Sequence, residues 1–388
     1  MPTRLHIAIP IHSFEPGGVE RVALNLAAVW QEAGEAVSIV LGRREGEAEA
    51  TAPALDYVCR QSRVPTASFE TPWMILSLLR FLRRNRADVL FCPGNTYAIV
   101  GAAMKLLLGR ACPPIAIKIS NDLQRHDMPR PARFAYGLWL RLQGRLFDGV
   151  IAMSPNMRNE IARLMKIAPD RIAMIDNASL NEVQFAALAA IARKGRAPEN
   201  RHYLAIGRLV SQKNYALMLR AFARGAPSGS RLTILGEGPE RGQLEELVAK
   251  LGLEGRVAMP GHCHDIASSL SEADTLLLSS DYEGVPSVVI EAMAAGMPVI
   301  ATNCSTSMAG LLGNGRFGQL VPPGNEALFV QALAQPDTSS FPLEAARDKA
   351  RGFTAERIAP RYLSEFRKMP GLRRQPPVAS APDNKSVI

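Results

Sequence analysis

Two glutamates, Glu283 and Glu291, are the residues of this 388-residue sequence best suited to chemistry on a polar ligand. They stand eight positions apart in the segment 280–298, which reads S-D-Y-E-G-V-P-S-V-V-I-E-A-M-A-A-G-M-P. Carboxylates in a loop and on the second turn of the following helix could accept hydrogen bonds from different hydroxyls of one sugar nucleotide. In the alternative interpretation, Glu283 only complements the helix dipole and Glu291 is a solvated helix residue.

The residues around the two glutamates predict a strand, a loop and a helix. Thr275–Leu278 is an apolar run typical of a buried strand. Pro286 and Ser287 predict a helix start, because proline is tolerated in the first turn and serine can cap it. Gly296 and Pro298 predict its end. Open α/β sheets bind phosphate-bearing ligands where a helix begins beside the carboxyl end of a strand, so we expect a ligand site here.

Two cations, Arg208 and Lys213, form a second candidate in the segment A-I-G-R-L-V-S-Q-K-N. The predicted strand ends at Ile206, and Lys213 falls at the start of the next helix. A cation there opposes the helix dipole by about 0.3–1 kcal/mol. The pair becomes favourable if an anion such as a diphosphate binds between the two side chains. The alternative is a mildly unfavourable solvated pair.

Glycine pairs mark two further loops. Gly17 and Gly18 lie between a predicted strand and a predicted helix and would allow the backbone to approach a ligand closely. They do not form a G-x-G-x-x-G motif, so the main sequence evidence for a dehydrogenase function is absent. Gly236 and Gly238 are a weak signal, because Arg241 stands where a dinucleotide site would have glycine.

No metal site is expected. The segment 261–265 reads G-H-C-H-D, but His262 and His264 are two apart on a predicted turn and no further ligand cluster completes a site. No D-x-D pair is present to carry a metal–diphosphate complex, and Asp281-x-Glu283 comes closest. We therefore expect no metal and no other cofactor, with side-chain cations and helix dipoles neutralising a bound diphosphate.

Length and composition indicate a globular protein of two domains. The sequence is 47% hydrophobic and 21% charged, which excludes disordered and fibrous classes for the bulk of the chain. No apolar run approaches the roughly 18 residues of a membrane-spanning helix. The run Leu5–Pro10 is too short for the apolar region of a signal peptide. Five cysteines without paired spacing indicate reduced thiols and a cytoplasmic location.

The formal net charge is +9, and most of the excess lies in residues 1–178. The segments Trp73–Arg86 and Arg130–Arg145 combine apolar residues with arginine and contain no acid. Such helices could lie on an anionic membrane surface, which would make the protein peripheral at the inner face of the membrane. In the alternative, the apolar face covers the sheet and the arginines are solvated. Nucleic acid is not expected as a partner, because aromatic residues are only 6% and are not interleaved with the basic ones.

Strands and helices alternate through two halves of the chain, which predicts an α/β fold of two doubly wound parallel sheets. The predicted strands are Leu5–Pro10, Val37–Leu41, Leu55–Cys59, Asp88–Cys92, Ile115–Ile119, Val150–Met153, Tyr203–Ile206, Leu232–Leu235, Val257–Met259, Thr275–Leu278, Val299–Ala301 and Gln319–Val321. The predicted limits are a first domain at 1–178, a connection at 179–202, a second domain at 203–352, a helix crossing back at 353–369 and a disordered tail at 370–388.

Four motifs resemble those of the family 4 glycosyltransferases, retaining GT-B enzymes that use nucleotide-sugar donors. They are G-G-V-E-R at 17–21, G-R-L-V-S-Q-K-N at 207–214, L-G-E-G-P-E at 235–240 and E-G-V-P-S-V-V-I-E at 283–291. They occur in the order found in the family, and the strand–helix alternation around them runs through nearly all of residues 1–368. The resemblance is specific for the family and not for one member.

The resemblance implies two Rossmann-like domains with the donor in the cleft between them and the acceptor mainly on the first. Arg208 and Lys213 would hold the donor diphosphate, Glu283 the transferred sugar and Glu291 the ribose. The implied catalytic residues are Glu283, Arg208, Lys213 and His126. The implied donor-binding residues are Gly17, Gly18, Arg208, Lys213, Gly236, Glu283, Gly284, Val285, Pro286, Ser287 and Glu291.

The implied reaction moves a sugar from a UDP- or GDP-sugar to a glycan or lipid-linked acceptor in envelope, exopolysaccharide or lipopolysaccharide synthesis. Retention by front-face attack needs no carboxylate nucleophile, unlike the two-carboxylate glycosidases. Catalysis would stabilise the negative charge that develops on the leaving diphosphate. The alternatives are a GT-B relative that hydrolyses or epimerises nucleotide sugars, and a non-catalytic binding protein.

The sequence departs from the family at two places. A G-P-x-E segment, frequent in the family after the strand that ends near Thr302, is replaced by Ser307-Met-Ala-Gly310. From the resemblance, we expect a polar contact near the donor to be missing here. Many members also place a histidine of the first domain near the sugar. His126 is the candidate, but the segment 120–126 matches the pattern poorly, and a surface-loop histidine is the alternative.

Overall fold

The computed structural model describes residues 4–15, 17–61, 66–124, 128–192, 197–263, 265–335 and 341–370, which form two parallel sheets. The first sheet has seven strands in the order β3-β2-β1-β4-β5-β6-β7. Its strands are β1 (His6–Ile11), β2 (Ala36–Leu41), β3 (Asp56–Cys59), β4 (Val89–Cys92), β5 (Ile115–Lys118), β6 (Gly149–Ala152) and β7 (Ile172–Met174).

Helices cover both faces of the first sheet, and the central strands β4 and β5 are therefore buried along their whole length. The helices of this domain are α1 (Gly18–Glu32), α2 (Glu70–Arg84), α3 (Ala98–Leu108), α4 (Arg130–Leu146) and α5 (Pro155–Met165). Helix α1 begins directly after Gly17, whose backbone is extended, and buries Val22, Leu26 and Trp30.

The second sheet has six strands in the order β10-β9-β8-β11-β12-β13, all parallel. Its strands are β8 (His202–Ile206), β9 (Arg231–Leu235), β10 (Val257–Gly261), β11 (Thr275–Leu278), β12 (Val299–Thr302) and β13 (Gly318–Val321). The remaining helices are α6 (Glu182–Ala189), α7 (Tyr215–Gly225), α8 (Arg241–Lys250), α9 (Ile266–Glu272), α10 (Ser287–Ala294), α11 (Met308–Leu311), α12 (Glu326–Ala334), α13 (Leu343–Arg351) and α14 (Ala355–Lys368).

Helix α14 follows the second domain in the chain but packs on the first. The indole Nε1 of Trp30 donates a 3.0 Å hydrogen bond to the carbonyl oxygen of Ala359. Tyr362 and Phe366 meet the rings of Trp30 and Phe91 at centroid distances between 5.4 and 5.8 Å. These aromatic contacts place the helix in the hydrophobic core beneath β1 and β4.

The predicted fold class is confirmed, and every predicted strand is present to within two residues of its predicted ends. Strand β7 was not predicted, because its three residues give no alternation or apolar run long enough to mark a strand. The predicted disordered tail lies outside the described residues from position 371 onward.

Candidate functional site

The carboxyl ends of the two sheets meet where the loop after β5 touches the loop after β11. Asn121 and Gly284 form an antiparallel backbone bridge between the domains. A Cβ atom at position 284 would overlap the carbonyl oxygen of Ser120. This position therefore requires glycine, and the candidate site is closed on one side by direct backbone contact.

Glu283 and Lys213 form an ion pair within the second domain. The Nζ atom of Lys213 lies 2.5 Å from Oε1 of Glu283, and the hydroxyl of Ser280 donates to the same oxygen at 2.8 Å. Glu283 is buried. Its carboxylate is thus held by specific contacts, and the view that it only complements the dipole of α10 is wrong.

Lys213 was predicted to fall at the start of a helix. In the structure it lies just before helix α7. It ends a short 3₁₀ turn, Ser211–Lys213, and Asn214 then caps α7 from a left-handed backbone conformation with φ of 47°. The hydroxyl of Ser279 donates to the Lys213 carbonyl at 2.7 Å. The end of β11 therefore fixes the loop that carries the lysine.

Arg208 is exposed and, within the described ranges, has no acidic partner. It follows Gly207, whose φ of 155° is rare for residues with a side chain. A Cβ atom at Gly236 would overlap the Gly207 carbonyl oxygen, and one at Gly238 would overlap that of Leu209. Gly236 and Gly238 therefore let two loops pack closely, and Arg208 remains available to an anion.

Glu291 is not solvated, so that interpretation of its role is wrong. It is 3% exposed and forms a 2.7 Å ion pair with Arg21 of the first domain. Its second oxygen, Oε2, is buried and has no hydrogen-bond partner among the described residues, and the same is true of Nε of Arg21. The second glutamate of the site is therefore held from across the cleft.

At the glycine pair where α1 begins, no described backbone atom would clash with an added Cβ atom. A Cβ atom at Gly17 would overlap the carboxylate of Glu20, which folds back over the start of the helix. A Cβ atom at Gly18 would meet nothing within 4 Å. The space beside Gly18 is therefore open.

Val285, Pro286 and Ser287 form the entry to α10. Pro286 occupies the cap position, and no side chain caps the helix. The predicted capping role of Ser287 is wrong, because its hydroxyl donates at 3.2 Å to Ser179 Oγ instead. Val285 is buried among the residues of the core.

A buried lysine, Lys118, is a residue that the sequence interpretation missed. It is 1% exposed at the end of β5 and donates to Asn177 Oδ1 at 3.0 Å. Asn177 in turn donates to Ser179 Oγ, which also accepts from Ser287. Burial lowers the pKa of Lys118 to about 7, although Glu20 opposes the shift. The available signal was a lysine inside the apolar run I-A-I-K-I.

Glu20, Tyr97 and His12 form a second polar group on the first domain that the sequence interpretation missed. The Tyr97 hydroxyl donates to Glu20 at 2.8 Å and accepts from the His12 backbone N–H at 3.1 Å. The rings of His12 and Tyr97 are stacked at 4.8 Å. Burial lowers the pKa of His12, while Glu70 and Glu20 oppose this, so the neutral imidazole is favoured.

The segment that replaces G-P-x-E, together with the preceding Thr306, makes contacts across the cleft. Thr306 donates from its backbone N–H and its hydroxyl to Asp122 at 2.9 and 3.1 Å, and its carbonyl accepts from Asn156 at 3.1 Å. The Ser307 hydroxyl donates to Ser154 Oγ at 3.0 Å. Burial raises the pKa of Asp122, and the two Thr306 hydrogen bonds oppose the shift. The departure from the family pattern thus joins the domains.

His126 lies outside the described residues, as does His264. In the described part of the chain, no three His, Cys, Asp or Glu side chains group so as to hold a metal ion. No described helix is both long and apolar enough to cross a membrane.

Two family models match the chain in succession. Residues 16–178 match Glycosyltransferase Family 4, and residues 189–343 match Glycosyl transferases group 1. The chain is also similar to the solved structure of Anabaena HepE in complex with UDP and glucose. That likeness has a TM-score of 0.73 at 18% identity and covers 94% of this chain and 100% of the other. It supports the two-domain fold.

Two curated relatives are similar in sequence. An exopolysaccharide phosphotransferase of Streptomyces coelicolor is 26% identical over 261 residues, which is 66% of this chain and 27% of the relative. An N-acetylgalactosamine-N,N'-diacetylbacillosaminyl-diphospho-undecaprenol 4-alpha-N-acetylgalactosaminyltransferase of Campylobacter jejuni is 30% identical over 187 residues, which is 48% of this chain and 50% of the relative. The match thus spans half or less of these relatives. Because both family models match it in succession, the chain belongs to the family 4 glycosyltransferases.

Proposed function

We propose that the protein is a retaining glycosyltransferase that moves a sugar from a nucleoside-diphosphate donor to a glycan or lipid-linked acceptor. The observation that carries the proposal is the grouping of Lys213, Glu283 and Arg208 at the carboxyl edge of the second sheet, where Arg208 has no acidic partner among the described residues. This edge faces the first domain across the bridge of Asn121 and Gly284. A donor bound here would therefore meet an acceptor held by the first domain.

Arg208 and Lys213 are the groups that would hold the donor diphosphate. Each charge-assisted hydrogen bond to a phosphate oxygen stabilises the complex by about 1.5–3 kcal/mol. As the bond between sugar and phosphate breaks, negative charge grows on the leaving diphosphate, and both cations are placed to stabilise it. Because they can neutralise the diphosphate, we propose that the reaction needs no metal ion.

Glu283 is the proposed contact to the transferred sugar. Ser280 and Lys213 engage only Oε1 of its carboxylate, so the other oxygen remains to accept a sugar hydroxyl. His12 and Glu20, both held by the buried Tyr97, are the proposed wall for the acceptor on the first domain. The printed activities of the two curated relatives support an acceptor in exopolysaccharide or lipid-linked glycan synthesis.

We also propose that the first domain docks on an anionic membrane surface at its cytoplasmic face. Helix α4 presents Phe134, Leu138 and Leu142 on one exposed face, with exposures of 70%, 49% and 43%. Arg141 and Arg145 on the same helix have no acidic partner among the described residues. An apolar stripe flanked by unpaired arginines suits a surface of lipid tails and anionic head groups.

Helix α2 divides its side chains differently. It buries Met74, Leu78 and Phe81 against the sheet, as the alternative interpretation of this helix predicted. Its outer side contributes to a cavity of about 270 Å³. The cavity is lined by Arg60, Leu76, Leu79, Arg80, Arg83 and Arg84. This cluster adds positive charge to the face that would meet the membrane.

The proposed function is tested with a panel of UDP-, GDP- and ADP-sugars. A bound donor should raise the melting temperature by mass action, and the stabilising donor is then incubated with lipid-linked and soluble glycan acceptors. Product with the same anomeric configuration as the donor supports the proposal. Sugar release that does not depend on acceptor would favour hydrolysis, and no stabilisation by any donor would contradict the proposed function.

A further inference from the structure

Lys118 begins a chain of hydrogen bonds that runs from the first sheet to the start of α10. Its Nζ atom donates to Asn177 Oδ1 at 3.0 Å. The Asn177 amide donates to Ser179 Oγ at 3.0 Å, and the Ser287 hydroxyl donates to the same Ser179 oxygen at 3.2 Å. Lys118, Asn177 and Ser179 are buried, so bulk water does not compete for these contacts. A strand of the first domain is thus connected to the first residue of a helix in the second.

The middle of this chain lies where the polypeptide passes between the domains. Asn177 and Ser179 follow β7, and a second hydrogen bond joins them, from the Ser179 N–H to the Asn177 carbonyl oxygen at 2.9 Å. The next residue, Leu180, forms a parallel backbone bridge with Thr354, directly before α14 returns to the first domain. Both passages of the chain between the domains therefore run side by side here, and Lys118 fixes one of them.

Lys118 is an unfavourable residue for its buried position. It is 1% exposed, and its partner is the neutral amide of Asn177 and not an acid. Burying an amine without an opposite charge is unfavourable for folding, which a methionine of similar length would avoid. Groups that lower stability in this way are concentrated at functional sites. The amine itself is too buried to touch a ligand, so its effect on a ligand has to pass through Asn177.

The start of α10 receives this effect because its own side chains do not fix it. Pro286 occupies the cap position, and the helix has no side-chain capping hydrogen bond. The Ser287 hydroxyl is engaged by Ser179 of the connecting segment instead. The position of the helix start therefore depends on the segment that links the domains.

We infer that Lys118 is a positioning residue that acts through Asn177 and Ser179 to hold the start of α10 where the donor diphosphate binds. This inference rests on the proposed function, because the start of α10 belongs to the same donor site. The amine orients the Asn177 side chain, since the amide can donate to Ser179 only while its oxygen faces the amine. The oriented Ser179 oxygen then accepts the hydroxyl of Ser287.

A purely structural lysine makes a different prediction. It would hold only the loop after β7, so its replacement and a change at Ser287 would affect donor binding independently. Effects of residues in one hydrogen-bond network are not additive, whereas effects of separate sites are. A double-mutant cycle between Lys118 and Ser287 therefore separates the two roles.

The experiment measures binding of UDP by calorimetry to the full chain and to Lys118→Met, Ser287→Ala and the double variant. GDP or ADP replaces UDP if UDP does not bind. Each single variant should weaken binding by about three- to tenfold, as expected for one lost hydrogen bond. The double variant should bind at most about twofold more weakly than the weaker single variant, because both changes break the same chain. Independent effects would multiply instead.

Two further variants test the connection itself. Ser179→Ala leaves the contact between Lys118 and Asn177 in place but removes the oxygen that Ser287 needs, so it should weaken UDP binding as Lys118→Met does. It also tests the inference if Lys118→Met does not fold. Ser287→Thr retains the hydroxyl and should bind UDP nearly as well as wild-type protein.

Lys105→Met is the matched control. It breaks a 2.6 Å ion pair with Asp148 elsewhere in the first domain. It should leave the affinity for UDP unchanged, both alone and combined with Ser287→Ala. Thermal melting of each variant without ligand shows whether the fold is retained.

Non-additive effects of Lys118→Met and Ser287→Ala, with recovery in Ser287→Thr, support the inference. Additive effects, unchanged binding in Lys118→Met or Ser179→Ala, or binding in Ser287→Thr as weak as in Ser287→Ala would overturn it while leaving the proposed function intact. Failure of wild-type protein to bind UDP, GDP and ADP would instead contradict the proposed function, and with it the role of Lys118.

Discussion

Lys213 and Glu283, seventy positions apart in the chain, form a 2.5 Å ion pair at the carboxyl edge of the second sheet. The lysine is therefore already balanced by an acid, whereas Arg208 has no acidic partner in the part of the chain that the structure describes. A diphosphate entering the site would share Lys213 with Glu283 and would find Arg208 free. The two cations should then contribute unequally to donor binding.

We expect Lys213→Ala and Arg208→Ala each to lower kcat/KM at least about tenfold, because each removes a charge-assisted contact to the diphosphate. Lys213→Ala should also destabilise the fold, since it leaves the buried carboxylate of Glu283 with fewer partners. Steady-state kinetics and thermal melting measure the two effects. Near-normal turnover in both variants would contradict the diphosphate assignment.

Activity should persist without added divalent metal. The reason is the pair of cations at the donor site, which can neutralise the diphosphate charge as a metal ion does in other enzymes. The measurement is turnover after dialysis against EDTA and after adding back manganese or magnesium. Full loss that either ion restores would contradict this prediction and would direct attention to Asp281 and Glu283 as metal ligands.

Gly284→Ala should lower kcat by at least about tenfold with the fold retained, because small misplacements of reacting groups are costly. The added methyl group would overlap the Ser120 carbonyl oxygen and push the domains apart at the site. Gly242→Ala is the matched control, since a Cβ atom there meets nothing within 4 Å. If Gly284→Ala turned over normally, closure at this point would not be needed for the reaction.

Strand ends and motif glycines could be predicted from the sequence because they depend on local preference. Contacts between the halves could not. Arg21 and Glu291 belong to separate motifs, and no spacing rule relates them. Ser287 has the residue type of a helix cap, but a hydroxyl of the connecting segment, Ser179, engages it instead. The partners of these side chains are therefore determined by tertiary contacts and not by local sequence.

The lowered pKa of Lys118 also depends on tertiary contacts and could not be predicted from the sequence. This lysine falls within the predicted strand Ile115–Ile119, but lysine is normally excluded from a buried strand. Its amide partner, Asn177, comes from a loop beyond β7, the strand that was not predicted. The sequence therefore did not reveal that the lysine could be buried, or that its pKa would be lowered.

Lys118→Met should stabilise the protein most at pH 7 and below. The folded-state pKa of Lys118 is about 7, below its ordinary value, so the unfolded chain binds the extra proton between these two values. Wild-type stability should therefore rise with pH above 7 by up to about 1.4 kcal/mol per pH unit from this group, and the variant should lack this contribution.

The measurement for Lys118 is the free energy of unfolding by urea at pH 6.5, 8 and 9.5 for both proteins. Their difference isolates the lysine, because all other groups titrate in both. The advantage of Lys118→Met should shrink as pH rises. A difference that stays constant across this range would mean that the lysine is charged in the folded state at every pH tested.

Membrane docking is the last prediction. Wild-type protein should co-sediment with vesicles that contain anionic phospholipid and not with neutral vesicles, and high salt should release it. Arg141→Glu/Arg145→Glu should weaken binding strongly, since each basic residue near the surface contributes about 1 kcal/mol. Arg83→Glu/Arg84→Glu should weaken it too, because both arginines line the α2 cavity on the same proposed face.

The apolar stripe of α4 needs its own variant. Phe134→Ser/Leu138→Ser removes exposed apolar surface without changing charge and should weaken binding to anionic vesicles while leaving melting unchanged, because both side chains are exposed. The control is Val183→Ser. This side chain is 78% exposed but lies on α6, which is neither of the two arginine-bearing helices α2 and α4. Equal partition of wild-type protein to both kinds of vesicle, or to neither, would contradict docking and would favour a soluble glycan as the acceptor.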